Sequence, residues 1–544
     1  MILCLMALLG LAACGGGGTS LAESVNVAAT GVTSSTAEVA VSPGASLTPA
    51  ATSVASPLAA SPLATPAADP ATNPAVTRAT PTAPATAAAP ATLATPATLA
   101  APSTQATPAT PAAPATPAAN ALPALQPPSL PRASLVAADL AVLIAAGDPL
   151  SEAIGLAYQK ARGIPEANMV RVTVPAGSDV ISASDFAGLK AAIDAQLPVG
   201  VQATLVTWTQ PSRVVGLLGT CGMGLTSALA FGYSATRCGG CNRTEASAYY
   251  DSDSTRPFAE LNVRPSMMLG AATLDAAQAL IARGVAADGS APGGTGYLLR
   301  TSDVARSVRY PDYLALPAAW ATAPGLALRY TDASAAGSAQ TLSDQTDMLF
   351  YFTGLVRVGQ LASNRFLPGA AADHLSSFAG LLPGGNGQMP ATDWLAAGAT
   401  ASYGTVEEPC NHVEKFSRAS VLIDHYLRGA TLIEAYWKSV AWPGQGLFVG
   451  EPLARPWSQA PTATIEAGDL VLRTRSMRRN GSYRVDYRAA GASAWTTLAS
   501  LTAGQPRPVT WRVALPDNRA GGQLRWVGPC PTQTSQACVL GSSP

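Results

Sequence analysis

Apolar residues follow two different periodicities along the chain, and the change between them divides the sequence. Between residues 131 and 457, short apolar runs alternate with amphipathic stretches, as in the run 140–144 and the stretch after it that Asp148 begins and Gly163 ends. Further strands are predicted near 169–174, 203–208, 297–301, 348–353, 399–403 and 447–449, and helices near 185–197, 275–283, 392–397, 420–427 and 432–440. This alternation predicts an α/β fold with a mostly parallel sheet and helices on both faces.

From residue 459 to 544, apolar residues recur at every second position instead. Short segments of this kind are separated by Gly, Pro or Asn, and they lie near 470–472, 483–487, 494–498, 509–513 and 523–527. The pattern predicts a small all-β sandwich that resembles a fibronectin type III or immunoglobulin-like module. The usual role of such a module is adhesion or spacing.

Residues 15–130 show neither periodicity. They consist almost entirely of Ala, Thr, Pro and Ser, and their charged residues are Glu23, Glu38, Asp69 and Arg78. Because so few side chains can be buried and proline removes amide donors, we expect a disordered, polyproline-biased linker. At roughly 3.1 Å per residue, such a linker reaches on the order of 300 Å when extended. Its Thr/Ser-Pro composition is also typical of O-glycosylated stalks.

Residues 1–14 resemble a lipoprotein signal peptide. An apolar run ends in Leu11-Ala12-Ala13-Cys14, and four glycines follow. The resemblance to a bacterial lipobox implies that Cys14 becomes the diacylated first residue and anchors the chain in the membrane. Gly15 after the cysteine, by analogy with Gram-negative lipoproteins, favours the outer membrane. The alternative is an ordinary cleaved signal peptide, and both predict an exported protein of the cell envelope.

The composition and the missing motifs exclude several classes of function. The 33 basic and 33 acidic residues cancel, so the chain lacks the basic surface that a nucleic-acid partner requires. Beyond the N-terminus, no run approaches the roughly 20 apolar residues of a spanning helix, which excludes a polytopic membrane protein. No Walker loop, Gly-x-Gly-x-x-Gly, Gly-x-Ser-x-Gly or His-Glu-x-x-His motif occurs. We therefore expect no cofactor and no bound metal.

The cysteines of the mature chain predict disulfide bonds. Six remain once Cys4 is assigned to the signal peptide and Cys14 to the lipid, and an even number in an exported chain favours disulfides. Cys530 and Cys538 are predicted to pair with each other. The other four are predicted to form structural disulfides among themselves, with the pairing left open: Cys221, Cys238, Cys241 and Cys410. A redox pair or half a zinc site at Cys238-Gly-Gly-Cys241 is the less favoured alternative.

Two segments carry candidate catalytic side chains. Asp373, His374 and Ser376 follow one another at what is predicted to be the carboxyl end of a strand, where open α/β sheets bind ligands. Neighbouring strand residues point to opposite faces, so His374 is expected to pair with Ser376 rather than with Asp373. Histidine can act as a general base near neutral pH. The alternative is a polar turn whose side chains bind local amides.

The second segment contains Glu407 and Glu408, which follow another predicted strand. Two carboxylates in this position can act as acid and base. Cys410 and His412 also suggest a nucleophile, but an exported cysteine is more often oxidised. The candidate catalytic set is therefore Asp373, His374, Ser376, Glu407 and Glu408.

Several ordered strings resemble an uncharacterised bacterial family found in species that carry exosortase. The similarity covers residues 135 to 457, and the strings are 264–268 (RPSMM), 301–306 (TSDVAR), 372–377 (ADHLSS), 404–409 (GTVEEP) and 446–453 (GLFVGEPL). Exosortase systems sort and process exported proteins, often together with exopolysaccharide production. The resemblance implies an accessory of such a system, with exported proteins or exopolysaccharide as partners.

A fainter similarity links the chain to gingipain-like, caspase-type cysteine peptidases. In that family one strand ends in His-Gly and the next in Ala-Cys. The corresponding positions here read Thr353-Gly354 and Asp373-His374, and the closing motif reads Gly450-Glu451-Pro452. The resemblance therefore implies a caspase-like fold from which the catalytic histidine and cysteine are absent.

Three functions remain open from the sequence. The first is a lipid-anchored accessory to exosortase-linked protein sorting or processing. The second is a hydrolase of exported peptides or glycans with His374 as its base. The third is a non-catalytic module that binds polysaccharide or protein at the cell surface.

Overall fold

The computed structural model describes residues 122–215, 221–532 and 535–544 of the 544-residue chain. The predicted signal peptide, Cys14 and residues 15–121 of the predicted linker lie outside these ranges.

The strands of the α/β domain are β1 (Leu140–Ala145), β2 (Met169–Val172), β3 (Val180–Ser182), β4 (Ala203–Val206), β5 (Arg213–Val215), β6 (Gly222–Gly224), β7 (Ser266–Met268), β8 (Gly294–Arg300), β9 (Leu326–Asp332), β10 (Met348–Gly354), β11 (Phe366–Leu375), β12 (Ala401–Thr405) and β13 (Gly446–Gly450). Those of the C-terminal domain are β14 (Thr462–Glu466), β15 (Asp469–Thr474), β16 (Ser482–Arg488), β17 (Thr496–Thr502), β18 (Val509–Ala514), β19 (Gln523–Pro529) and β20 (Ala537–Ser542).

The α-helices of the described residues are α1 (Pro149–Arg162), α2 (Ala183–Asp194), α3 (Leu225–Phe231), α4 (Pro257–Leu261), α5 (Leu274–Ala287), α6 (Tyr310–Leu314), α7 (Leu316–Ala319), α8 (Thr392–Ala396), α9 (Ala419–Leu427) and α10 (Leu432–Ser439). Helix α1 begins and ends at the capping residues that the sequence predicts. Asp148 accepts a hydrogen bond from the Leu150 amide at 3.0 Å, and Gly163 ends the helix at φ 63°. Within the described ranges, no helix combines the length and the apolar composition of a membrane-spanning segment.

A ten-stranded sheet forms the centre of the α/β domain, in the order β2-β1-β4-β7-β13-β12-β11-β10-β8-β9. Every neighbouring pair is parallel except β12 with β13. The prediction of a mostly parallel sheet is therefore confirmed. Because the one antiparallel pair lies in the middle, the two halves of the sheet run in opposite directions. The carboxyl ends of β11 and β12 lie at the same edge.

Apolar cores cover both faces of this sheet. Along β11, Ala371 and Leu375 belong to a core that includes side chains of α5, whereas Ala370 and Ala372 belong to a second core with Trp394 of α8. Strands that are covered on both sides are apolar at nearly every position, as β1 and β10 are. The predicted helices on both faces are thus confirmed.

The C-terminal domain is an antiparallel β-sandwich, as predicted. One sheet has the order β14-β15-β18 and the other β17-β16-β19-β20. Leu470 and Leu472 from the first sheet share a core with Val485 and Trp526 from the second. The alternating apolar residues of the sequence are the side chains that the two sheets press together.

Residues 122–130 differ from the prediction, which assigned them to the linker. They pack on the β-sandwich, where Leu125 is buried in the core and Leu130 lies against it. The Ser129 amide donates a hydrogen bond to the Ser542 carbonyl at 3.1 Å. The two leucines explain the difference, because they supply apolar surface within an otherwise Pro-rich segment.

Charged side chains join the β-sandwich to the α/β domain. Arg478 of the sandwich contacts Asp251 at 3.1 Å and Asp253 at 3.0 Å, and Asp253 also pairs with Arg428 at 2.7 Å. The Arg475 guanidinium donates to the carbonyl that ends α9, that of Leu427, at 3.1 Å. These contacts hold the two domains in one arrangement.

The predicted disulfides are present in the structure, and it resolves the pairing that the sequence left open. Cys221 pairs with Cys238, Cys241 with Cys410, and Cys530 with Cys538. Disulfides of this number are compatible with an exported protein.

Candidate functional site

The candidate catalytic residues lie at one edge of the central sheet. Strands β11 and β12 are parallel neighbours, so the segments that follow Leu375 and Thr405 leave the sheet side by side. Carboxyl ends of parallel strands are the usual place for a ligand site in an open α/β sheet. Each of the five side chains has a different environment there.

Asp373 is held inside the sheet by an ion pair. It is 1 % exposed, and its Oδ1 lies 2.6 Å from Nη1 of Arg309. Ser417 Oγ donates a hydrogen bond to its Oδ2. The same guanidinium donates to the carbonyls of Thr353 at 2.7 Å and Ser417 at 3.1 Å. Asp373 therefore joins β11 to the segment before α6 and to the segment before α9, and it does not face solvent.

His374 points to the opposite face of the sheet, as the alternation of strand side chains predicts. It is 1 % exposed, and the indole N–H of Trp394 donates to its Nδ1 at 3.0 Å. Because Nδ1 accepts a hydrogen bond, the neutral ring carries its proton on Nε2. That nitrogen lies 3.2 Å from Ser376 Oγ, so the imidazole donates to the hydroxyl.

This arrangement works against a general-base role for His374. A base that activates Ser376 needs a free lone pair on Nε2, and here that nitrogen is the donor. Burial, together with the nearby Arg309 charge, lowers the pKa of His374 to about 3. Ser376 is itself fully buried. The predicted pairing of His374 with Ser376 is present, but it forms an internal hydrogen bond without access to a substrate.

The two glutamates diverge from each other. Glu407 Oε2 accepts hydrogen bonds from the backbone amides of Gly222 at 3.1 Å and Gly239 at 3.5 Å. Glu408 is exposed and caps a turn by accepting a hydrogen bond from the Cys410 amide at 2.8 Å. Glu407 lines a cavity and Glu408 does not.

This cavity, of about 410 Å³, is named here the edge cavity. Its charged and amide side chains are Asp179, Arg213, Asn386 and Glu407, and Phe378 lies among its apolar ones. Asp179 Oδ2 lies 3.4 Å from Nε of Arg213 in a half-exposed ion pair. The edge cavity thus combines hydrogen-bond acceptors, donors and an aromatic ring within one concave surface.

One disulfide and a buried lysine fix the backbone beside Glu407. Gly222 and Gly239 each follow a cysteine of the Cys221–Cys238 bond, so this bond positions the amides that hold the carboxylate. The buried ammonium of Lys415 donates to the Gly240 carbonyl. Burial lowers the pKa of Lys415 to about 8, although Glu407 and Glu408 oppose the shift.

Cys410 and His412 do not form a nucleophile and base. Cys410 is bonded to Cys241, and Nε2 of His412 lies 2.8 Å from the Cys241 carbonyl oxygen. The suggestion of a cysteine nucleophile is not supported by this arrangement. Oxidation of Cys410, which the sequence favoured, is confirmed.

The sequence alone did not indicate that Asp179, Arg213, Asn386 and Phe378 are site residues. Asp179 precedes β3 and Arg213 begins β5, and these short strands pair in a separate small sheet beside the main one. No motif joins the four positions, which come together only through tertiary structure. The nearest usable signal was the group of cysteines around Gly222 and Gly239.

Comparisons of the chain with protein-family models, with curated proteins and with solved structures found no match.

Proposed function

We propose that this protein is a non-catalytic binding protein of the cell envelope that recognises a saccharide at the edge cavity. In this proposal it serves as an accessory of an exosortase-linked system that handles exported proteins and exopolysaccharide. The ordered strings between residues 264 and 453 support the link to such a system. The lipobox-like end at Cys14 supports anchoring in the outer membrane.

The observation that carries the binding role is the contrast between buried and open polar groups. Asp373, His374 and Ser376 are each at most 1 % exposed, and their side chains are hydrogen-bonded to other buried groups of the protein. Glu407 and the Asp179–Arg213 pair instead line an open concavity. Groups that meet solvent can recognise a ligand, whereas groups enclosed in the sheet stabilise the fold.

The chemistry of the edge cavity fits a sugar ring. Carboxylates such as Asp179 and Glu407 accept hydrogen bonds from hydroxyl groups, and Arg213 and Asn386 donate to them. The half-buried ring of Phe378 offers an apolar face for the C–H side of a sugar. A cavity of this volume lies within the usual range for small ligands.

Binding of defined oligosaccharides to the mature chain tests this proposal. A panel of neutral oligosaccharides is screened, and the affinity for the best of them is measured by titration calorimetry. Glu407→Gln is expected to weaken binding by about tenfold or more, since a hydrogen bond to a charged group contributes about 1.5–3 kcal/mol. Glu408→Gln is the matched control and should bind as the wild type does.

Two results would overturn the saccharide assignment: failure of every oligosaccharide to bind, or equal losses of affinity in the two variants.

The lipid anchor is tested separately by labelling with palmitate, which should enter the wild type and not Cys14→Ala. Equal labelling of both would remove the anchor from the proposal.

A further inference from the structure

A second cavity, of about 320 Å³, lies between the α/β domain and the β-sandwich. We call it the interdomain cavity. Its α/β wall includes Lys438, Ser254 and Arg256, and its sandwich wall includes Tyr483 and Trp526. None of these residues belongs to the edge cavity.

Lys438 is the unusual member of this lining. It lies on α10 with its side chain 2 % exposed, and its closest carboxylate oxygen, Glu434 Oε1, is 4.0 Å from Nζ. Nζ also lies 5.1 Å from the centre of the Tyr249 ring. Among the described residues, Glu434 Oε1 and the Tyr249 hydroxyl are buried without a hydrogen-bond partner, and the 4.0 Å between Glu434 Oε1 and Nζ exceeds hydrogen-bond distance. A buried ammonium is stabilised by acceptors at hydrogen-bond distance, so a polar partner is expected in the cavity.

Other charged residues of the lining already have close partners. Asp253 accepts from Arg428 at 2.7 Å and is 3.0 Å from Arg478. Arg132 pairs with Asp139 at 2.7 Å, and Glu260 accepts from the Ser254 hydroxyl at 2.6 Å. Lys438 differs from these groups because its ion-pair partner, Glu434 Oε1, lies 4.0 Å away, beyond hydrogen-bond distance. Burial accordingly lowers its pKa.

We propose that the interdomain cavity binds a sugar acid, with the carboxylate on Lys438 and the ring between the two domains. A carboxylate supplies charged acceptor atoms at hydrogen-bond distance, which Glu434 at 4.0 Å does not reach. Tyr483 and Trp526, whose rings stack at 5.3 Å, form an apolar wall for one face of the ring. Ser254 and Arg256, which carry hydrogen-bonding side chains, line the opposite wall, on the α/β domain.

A ligand in the interdomain cavity would also stabilise the contact between the two domains. Both domains contribute to its walls, so a bound ligand contacts both at once. A ligand that binds only this arrangement stabilises the docked state by mass action. The β-sandwich is then part of a binding site and not merely a spacer.

Titration of the mature chain with D-glucuronate and with D-glucose tests the proposal. These probes differ by the carboxylate, so glucuronate is expected to bind at least about tenfold more tightly. Lys438→Met keeps the length of the side chain without its charge and should lose this preference. Lys160→Met, the same substitution at an exposed lysine, should retain it.

A second readout covers the case in which Lys438→Met does not fold. In the wild type, the indole N–H resonance of Trp526, assigned with Trp526→Phe, should shift on addition of glucuronate and not of glucose. Equal binding of the two probes, no binding of either, or an unchanged preference in folded Lys438→Met would each overturn the proposal. In those cases water is the partner of Lys438.

Discussion

Removal of the Asp373 carboxylate should strongly destabilise the protein. Asp373→Ala leaves the guanidinium of Arg309, whose side chain is 4 % exposed, without its counter-ion. Loss of one partner of a buried ion pair typically costs about 3–5 kcal/mol. The carbonyls of Thr353 and Ser417 still accept from Arg309, so the expected loss is near the lower end, about 3 kcal/mol.

The assay is urea unfolding followed by circular dichroism and tryptophan fluorescence. Glu152→Ala, which breaks a partly exposed pair with Arg171, is the control and should change the free energy of unfolding by less than about 1 kcal/mol. Arg309→Met combined with Asp373→Ala removes both charges. This double variant should recover much of the lost free energy of unfolding, because no buried charge is left without its counter-ion.

Two outcomes would refute this reasoning. One is an Asp373→Ala variant with a free energy of unfolding within about 1 kcal/mol of the wild type. The other is strict additivity of the single variants in the double variant. Either would mean that Asp373 is not a structural part of the sheet and is available for another role.

Three further predictions concern the same elements. Burial lowers the pKa of His374 to about 3 and also lowers the pKa of His425. The free energy of unfolding should therefore be highest above about pH 6.5 and, below that pH, fall by roughly 1.4 kcal/mol per pH unit for each of the two histidines. Urea unfolding midpoints measured at several pH values test this, and a profile that does not change with pH contradicts it. Trp394→Phe removes the donor to Nδ1 of His374 and should cost about 1–3 kcal/mol in the same assay; no change would mean that this hydrogen bond is absent. Replacing Cys241 and Cys410 together by Ser opens a link over 169 residues and should cost about 2–5 kcal/mol in thermal unfolding; an unchanged transition would contradict the pairing.

The local features of the fold could be predicted because they depend on neighbouring residues. The caps of α1 at Asp148 and Gly163 are set within a few positions of the helix ends. The opposite faces of Asp373 and His374 follow from strand alternation alone. The pairing of His374 with Ser376 follows from the same rule.

The remaining features depend on contacts between residues far apart in the sequence. Arg309, which pairs with Asp373, is 64 residues away and carries no local signal. The antiparallel pairing of β12 with β13 also has no signature in either strand, since both are buried at every position. The edge cavity needs Asp179, Arg213 and Glu407 together, and only the folded chain unites them.

We infer that the Asp373–Ser376 segment is part of the protein framework and not a catalytic centre. The most direct test is the protonation of the His374 imidazole, measured by long-range proton–nitrogen NMR on labelled protein, with His374→Asn used for assignment. We expect a neutral ring that is protonated on Nε2 and unchanged between about pH 8 and about pH 5. A ring that titrates with a pKa between about 6 and about 7, or one protonated on Nδ1, would contradict it.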